Sequence, residues 1–276
     1  MPAVSEGVMV ERPRVVVLIP YRGADVHRVR AYGAVRAQAD TLGWDVYAGD
    51  SGDLPFSIAR TWNHLAALAD ADGRWDVAVR WAADVLLADT RSLRRAVGRV
   101  RAYVRPFDAG VRLTQAESRT YYRTGRVPRR AGPAFFGGIS VNTRRMWDTV
   151  GGFDPRFEGW GHEDRAFIHG LNLCCGPVET CPGRAVQLWH PRPPRGSTDP
   201  YWGRRRANLA LYRAEIKSLS TPAEWAAYVA ARPAGPRGWI CPDHGDDWDG
   251  SCPYCPDFVG GVWVGRDGRE VTWIRR

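Results

Sequence analysis

Apolar residues along the chain follow patterns that predict an α/β fold. Residues 15–19 are continuously β-branched or aliphatic and end at Pro20, which is typical of a strand buried on both faces of a sheet. A helix-compatible stretch separates this run from residues 43–50, which have the pattern of a second strand. The order of strand, helix and strand indicates a β-α-β unit.

A second helix and a third strand are predicted next. From Ser57 onward one apolar stripe recurs at helical spacing, with Arg60 outside it. Residues 75–87 then predict a third strand that ends near Asp84. Ligands of open α/β sheets bind at the carboxyl ends of the strands, so Asp84 is a candidate for ligand contact.

Weaker patterns fill the rest of the first 234 residues. They predict a helix over 93–104, an irregular arginine- and tyrosine-containing region over 105–133, a strand with a glycine pair within 134–147, a strand ending at His190, and helices over 201–219 and 222–231. The strand is expected to stop at His190 because prolines follow it.

The sequence changes character near residue 234. We expect an α/β domain over residues 1–234 and a small β module over 235–276. Within the module, two alternating apolar segments flank Asp267 and Gly268, a pattern that predicts a β-hairpin.

Two ligand pairs precede this hairpin, Cys241-x-x-His244 and Cys252-x-x-Cys255. Their spacing is that of a zinc-ribbon-like site, and four protein ligands would leave no open position on the metal, so the Zn²⁺ would be structural. Free thiols are the alternative. Three other cysteines, Cys174, Cys175 and Cys181, lack such a partner pattern, which favours buried thiols.

Charge and composition leave several classes of partner open. The net charge of +9 comes almost wholly from arginine, since Lys217 is the single lysine. A positive surface favours anionic partners such as nucleotide sugars, acidic glycans or nucleic acid, whereas scattered arginines are more typical of a solvated surface. No run approaches the ~20 apolar residues of a membrane span, and the N-terminus lacks the pattern of a signal peptide. We therefore expect a cytoplasmic protein.

The polar and glycine positions occur in an order that resembles the GT-A glycosyltransferases. The residues that carry this resemblance are Pro20, Tyr21, Arg22, Phe56, Asp84, Gly137, Gly138, the element Gly159-Trp160-Gly161-His162-Glu163-Asp164, and His190. The element Gly-Trp-Gly-x-Glu-Asp is similar to the galactosyltransferase C-terminal motif and is the most specific part. The resemblance spans about the first three-quarters of the chain.

The resemblance implies roles for the two adjacent acids. Asp164 would take the proton from the attacking acceptor hydroxyl, and Glu163 would hold the acceptor sugar. Trp160 would offer an apolar face for the sugar ring. If the helix begins at Gly161 and His162, its first N–H groups would keep Asp164 ionised near neutral pH. The alternative is that both acids are ordinary first-turn residues of a surface helix.

A divalent metal and a nucleotide site also follow from the resemblance. Asp84 and His190 would bind Mn²⁺ or Mg²⁺, although Ala82 stands where relatives carry the first acid of Asp-x-Asp, and a lone histidine is often structural. Donor contacts would come from Pro20, Tyr21, Arg22, Asp50, Phe56, Arg60, Gly137 and Gly138.

Two classes of function therefore remain. The first is an inverting, metal-dependent glycosyltransferase that moves a hexose, of the galactose or N-acetylhexosamine type, from a UDP-sugar to an unknown acceptor hydroxyl. The second is a catalytically degenerate relative that binds a glycan, a nucleotide or nucleic acid without turnover, which Ala82 favours. A retaining transferase is a weaker third possibility, because retaining relatives usually lack an Asp at the position of Asp164.

Overall fold

The computed structural model describes residues 12–23, 25–53, 55–135, 137–194 and 198–232, and the backbone of 261–264 and 270–273. The helices are α1 Val26–Asp40, α2 Ile58–Ala71, α3 Arg91–Gly98, α4 Gln115–Thr124, α5 Arg144–Val150, α6 Glu163–Cys175, α7 Pro200–Leu211 and α8 Pro222–Ala231. The strands are β1 Val15–Pro20, β2 Asp45–Gly49, β3 Val77–Trp81, β4 Val85–Leu87, β5 Val104–Arg105, β6 Ala109–Arg112, β7 Gly132–Pro133, β8 Ile139–Thr143, β9 Glu179–Thr180, β10 Arg184–Gln187, β11 Gly261–Val264 and β12 Glu270–Trp273.

A mixed six-stranded sheet forms the centre of the fold. Its order is β2-β1-β3-β8-β5-β9, with β1 parallel to β2 and β3, and β8 antiparallel to β3. Every residue of β1 is buried, which confirms the prediction of a strand covered on both faces, and every residue of β3 is buried as well. The fold is therefore α/β with a central mixed sheet.

Helices cover both faces of this sheet. Val15, Val17 and Ile19 of β1 pack in one apolar cluster with α1, whereas Val16 and Leu18 pack in another with α2. This division follows from the strand geometry, because successive side chains of a strand point to opposite faces. Helix α1, which follows β1, and helix α2, which follows β2, thus pack on opposite faces of the sheet.

The single strand predicted over residues 75–87 is wrong. The main-sheet strand β3 ends at Trp81, and the chain then turns and enters a second sheet as β4. That sheet has the order β4-β10-β6-β7, with β10 antiparallel to β4. The turn is closed by a 3.1 Å hydrogen bond from the Val85 N–H to the Ala82 carbonyl. Asp84 therefore lies between two sheets.

The region over 105–133 is also more regular than predicted, since it contains β6, α4 and β7. Thr114 and Glu117 form a reciprocal capping box at the start of α4. Two elements also end earlier than predicted. Helix α3 ends at Gly98 and not at residue 104, and β10 ends at Gln187, three residues before His190.

Later elements agree more closely with the sequence patterns. Helix α8 matches the predicted segment 222–231, and α7 continues into a π-helical turn over Tyr212–Ile216. The antiparallel pairing of β11 with β12 confirms the predicted hairpin strands. Cys241, His244, Cys252 and Cys255 and the boundary near 234 lie outside the described residues. Across the described part of the chain, no helix has both the length and the apolar character needed to cross a membrane.

Candidate active site

A cavity of about 570 Å³ lies where β1 and β3 end. This volume is in the range of small-molecule sites, about 300–1,000 Å³. It is lined by most of the residues singled out from the sequence: Pro20, Tyr21, Arg22, Phe56, Asp84, Gly137, Gly138, Trp160, Glu163, Asp164 and His190. Asp50 and Arg60 do not line it. The structure thus brings together side chains that are far apart in sequence.

Strand pairing explains part of this convergence. Trp81 at the end of β3 pairs with Ile139 at the start of β8, and the Ala82 N–H donates to the Gly138 carbonyl at 2.7 Å. The turn that carries Asp84 is thereby fixed beside the glycine pair. Gly137 has a positive φ of 78°, and a Cβ there would lie 2.7 Å from Asp164 Oδ2. Only glycine allows the backbone to approach the carboxylate this closely.

The loop before α6 is attached to the start of α2. The Gly159 N–H donates to the Phe56 carbonyl at 2.7 Å, and the Gly159 carbonyl accepts from the Ile58 N–H at 3.2 Å. The buried Ser57 hydroxyl adds a 2.7 Å bond to the Phe157 carbonyl. These bonds hold Trp160 at the cavity, where 41% of its surface is exposed.

Asp164 is paired with a buried arginine that the sequence patterns did not single out. Arg80, on β3, places Nη1 3.4 Å from Asp164 Oδ1 and donates from Nη2 to the Tyr103 hydroxyl at 2.8 Å. Its guanidinium lies 4.4 Å from the Phe167 ring centroid. The Arg80 side chain is 3% exposed and that of Asp164 is 29% exposed, so the carboxylate faces the cavity and the arginine supports it from behind. The sequence feature that could have identified Arg80 is that it is the single charged residue of the apolar strand β3.

The expectation that the helix terminus alone keeps Asp164 ionised requires correction. Burial raises the pKa of Asp164 above its ordinary value, and the nearby Arg80 only partly opposes this. Sequence reasoning considered the helix N–H groups and missed the desolvation. A carboxylate with a raised pKa is also a better proton acceptor than an exposed one.

Glu163 has an environment different from that of its neighbour. It is 2% exposed, and its Oε2 accepts the Gly161 N–H at 2.6 Å. Burial, with the adjacent charge of Asp164, raises the pKa of Glu163 to about 8. Near neutral pH Glu163 therefore holds its proton. This arrangement reduces the repulsion expected between adjacent acids.

The raised pKa of Glu163 predicts that the free energy of unfolding depends on pH. An unfolded Glu163 would titrate near 4.5, whereas the folded side chain holds its proton to about pH 8. Between these values the folded state binds more protons, so the free energy of unfolding should fall as pH rises. Glu163→Gln cannot lose a proton and still accepts the Gly161 N–H. We expect a flatter profile for this variant in chemical denaturation between pH 5 and 8.5.

The matched control for this experiment is Glu179→Gln, because Glu179 is an exposed strand residue. Its profile should follow that of the wild type. Equal slopes for wild type and Glu163→Gln would show that Glu163 does not titrate in this range.

Asp84 and His190 form the second polar pair in the cavity. His190 Nε2 lies 3.4 Å from Asp84 Oδ2, which also accepts from Gln187 Nε2 at 2.9 Å. Burial by itself raises the pKa of Asp84, but the bonds from His190 and Gln187 outweigh it and lower the pKa. The carboxylate is therefore ionised at neutral pH.

The geometry of this pair fits a shared cation. His190 Nδ1 lies 3.0 Å from the Pro191 carbonyl, which can only accept, so Nδ1 carries a proton. His190 Nε2 then faces a carboxylate oxygen, an arrangement that is stable when a proton or a metal ion lies between them. In the described residues, no group of three or more His, Cys, Asp or Glu side chains converges, so the protein offers two donors here.

At the nucleotide end of the cavity, Arg22 and Asp50 bind each other, although each was predicted to contact the nucleotide. Arg22 Nε forms an ion pair with Asp50, and Arg22 Nη2 donates to the Asp53 carbonyl at 3.0 Å. The Arg22 guanidinium also lies 5.0 Å from the Phe56 ring centroid. Arg60 acts from outside the cavity, pairing with Asp53 at 3.3 Å. Asp50, Asp53 and Arg60 thus position Arg22 and its loop.

Several solved structures are similar to the chain in fold. A mannosyltransferase from Pyrobaculum calidifontis, in complex with GDP-mannose and Mn²⁺, is 18% identical, with 82% of this chain and 72% of that chain covered and a TM-score of 0.45. The catalytic domain of Drosophila β1,4-galactosyltransferase 7 with xylobiose is 13% identical, covering 76% and 82%, with a TM-score of 0.41.

A glucosyl-3-phosphoglycerate synthase from Mycobacterium tuberculosis, with Mn²⁺, UDP and glucosyl-3-phosphoglycerate, is 12% identical, covering 95% and 88%, with a TM-score of 0.39. No curated protein matches the chain in sequence. Residues 126–191 match the family model described as the N-terminal domain of galactosyltransferase. The segment that contributes Gly137, Asp164 and His190 to the cavity is therefore similar to a galactosyltransferase domain.

Proposed function

We propose that the protein is an inverting, metal-dependent glycosyltransferase that moves a hexose from a UDP-sugar to an acceptor hydroxyl. The observation that carries this proposal is that Asp84, His190 and Asp164 line one cavity at the carboxyl ends of the central strands. The family match of residues 126–191 supports a sugar of the galactose type, and an N-acetylhexosamine is the other candidate.

Asp164 is the proposed general base. It is part-exposed to the cavity and held by Arg80, so its free oxygen can accept the proton of an acceptor hydroxyl that attacks the anomeric carbon. A single carboxylate on the acceptor side, with the diphosphate leaving from the opposite face, gives inversion. Glu163, protonated and bonded to the loop, fixes the start of α6 and can donate its proton to an acceptor oxygen.

Asp84 Oδ2 and His190 Nε2 are the proposed ligands of a divalent cation. Such an ion, Mn²⁺ or Mg²⁺, would stabilise the charge of the departing diphosphate. Tyr21 and Phe56 provide aromatic surface for the nucleotide, and Tyr21 is held by stacking on Tyr32 at 4.0 Å. Arg22 presents a guanidinium pre-oriented by Asp50.

Nucleotide binding provides one prediction. UDP with Mn²⁺ should stabilise the wild type, by about 2.7 kcal/mol at a UDP concentration a hundred times the Kd. Asp84→Asn and His190→Ala should lose most of the Mn²⁺-dependent part, because each removes one proposed donor. Thermal unfolding with UDP, with and without Mn²⁺, measures this.

The control variant is Asp89→Asn, an exposed acid whose partner Arg91 lies two residues away. It should retain the full Mn²⁺ effect. If Asp84→Asn and His190→Ala also retained it, the metal would bind elsewhere.

Release of UDP tests turnover itself. Purified protein should release UDP from at least one of UDP-galactose, UDP-N-acetylglucosamine and UDP-N-acetylgalactosamine in the presence of Mn²⁺. The absence of the first Asp-x-Asp acid at Ala82 favours a second candidate, a binding protein without turnover. That function would show UDP, glycan or nucleic-acid binding with no UDP-sugar consumed, and steep salt dependence in the case of nucleic acid.

The C-terminal module is proposed as a structural zinc site held by Cys241, His244, Cys252 and Cys255. The support for this proposal is the ligand spacing in the sequence.

A further inference from the structure

Arginines surround Trp160 where it faces the cavity. The guanidinium carbons of Arg192 and Arg205 lie 5.7 Å and 5.9 Å from the Trp160 ring centroid. Arg204 packs on the same loop, since a Cβ on Gly159 would lie 3.3 Å from its Cδ. The cavity lining includes all three arginines. Their side chains converge from two segments, the chain after His190 and helix α7.

These arginines differ from three others that line the cavity. Arg22 pairs with Asp50, Arg80 with Asp164, and Arg28 with Asp25 at 3.3 Å. In contrast, the ion pairs found among the described residues do not include Arg192, Arg204 or Arg205. Glu163 is protonated near neutral pH, so it does not neutralise them. Arg192 interacts with one acid, Asp84, whose pKa it helps to lower. This part of the cavity therefore keeps an excess of positive charge.

The position of these groups relative to Asp164 assigns them to the acceptor. A general base has to contact the acceptor hydroxyl, so the acceptor lies against the segment that carries the base. Arg205 is in contact with that segment, because a Cβ on Gly161 would lie 3.2 Å from Arg205 Cγ. Trp160 stacks on Tyr201 with centroids 5.9 Å apart, which gives this segment an aromatic wall.

We infer that the acceptor is an anionic sugar, one that carries a carboxylate or a phosphate near the accepting hydroxyl. Guanidinium groups bind both anions through paired N–H donors, and the aromatic wall of Trp160 and Tyr201 suits the apolar face of a sugar ring. The inference rests on the proposed function, because that function makes this side of the cavity the acceptor site.

Two pairs of probes, each with one neutral sugar and one related sugar that carries an anionic group, test the inference. Methyl β-glucuronide is compared with methyl β-glucoside, and glucose 6-phosphate with glucose, by calorimetric titration in the presence of UDP and Mn²⁺. We expect the charged member of at least one pair to bind about tenfold tighter or more, with the advantage shrinking as salt is added. The pair that shows the advantage separates a carboxylate from a phosphate. Equal affinities within both pairs, including no binding of any probe, would overturn the inference.

Variants of α7 test whether Arg204 and Arg205 cause the tighter binding of the charged probe. The double variant Arg204→Gln and Arg205→Gln should lose the advantage of the charged probe and keep its affinity for the neutral probe and for UDP. Arg206→Gln is the matched control, because Arg206 is the exposed neighbour on the same helix and is outside the cavity lining. If the double variant lost UDP binding to the same extent, the arginines would serve the donor and the inference would be wrong.

The outcomes for the inference and for the proposed function are distinguishable. Transfer to charged and neutral probes at equal kcat/KM would confirm a glycosyltransferase and reject the anionic acceptor. Selective binding of charged probes that is lost in the double variant, without any release of UDP from a UDP-sugar, would keep the anion site and reject the transferase.

Discussion

Asp164→Asn is expected to lower the rate of sugar transfer by about a hundred- to ten-thousandfold, the usual contribution of a general base. The amide cannot take a proton from the acceptor hydroxyl. It keeps an oxygen that can accept from Arg80 Nη1, now 3.4 Å from Asp164 Oδ1, so the fold and UDP binding should persist. The measurement is initial UDP release with acceptor at saturating donor, beside calorimetric UDP binding.

Asp148→Asn provides the control for this loss, because Asp148 is a 54% exposed acid whose side chain bonds to Arg144 on its own helix. Its transfer rate should equal that of the wild type. Normal transfer by Asp164→Asn would mean that another group accepts the proton.

The largest loss of stability is expected at Arg80. Arg80→Met keeps much of the side-chain volume among Phe167, Phe153 and Trp62 but removes the partner of Asp164 and of the Tyr103 hydroxyl. Breaking a buried ion pair from one side costs about 3–5 kcal/mol, because the remaining charge is left uncompensated. Urea unfolding at pH 7 measures this loss.

The same variant should shift the pH dependence of transfer. Arg80 lowers the pKa of Asp164, so its removal should raise that pKa further. The acid limb of the kcat/KM profile should therefore move to higher pH, because a base that holds its proton cannot accept another. A purely packing role for Arg80 would leave the acid limb in place.

A double-variant cycle separates the charge effect from packing. Combining Arg80→Met with Asp164→Asn removes both charges, so the combined loss should be smaller than the sum of the single losses. Arg91→Met, at an 82% exposed arginine, should change neither stability nor the pH profile. Strictly additive losses would show that the pair does not interact.

Local sequence patterns were sufficient to predict elements that depend on burial alone and not on a specific pairing partner. The buried run of β1, the apolar stripe of α2 and the helix over 222–231 were predicted because their periodicity reflects burial on two faces or one. The change of sheet after Trp81 was not predicted, because it depends on the pairing of β4 with β10, which is about a hundred residues away in the chain. The β elements of 105–133 are two to four residues long and carry too little pattern.

In the candidate site, too, some features follow from local sequence and others from the tertiary fold. Asp84 could be named from the sequence because it lies near the end of a predicted strand, and Asp164 because its element Gly-Trp-Gly-x-Glu-Asp resembles the galactosyltransferase motif. The pairing of Arg22 with Asp50, and the support of Asp164 by Arg80, could not. Both depend on which neighbour the tertiary fold supplies to neutralise a charge. Arg204 and Arg205 are adjacent in the sequence, but their place beside Trp160 could not be predicted from it.

A crystal of the protein soaked with UDP and Mn²⁺, with anomalous diffraction recorded for manganese, tests the central claim most directly. We predict one manganese peak in contact with Asp84 Oδ2 and His190 Nε2, the diphosphate beside it, and the uracil against Tyr21 and Phe56. UDP bound instead in the separate cavity of about 760 Å³ between Arg12, Arg74 and Arg99, with no manganese at Asp84, would contradict the account.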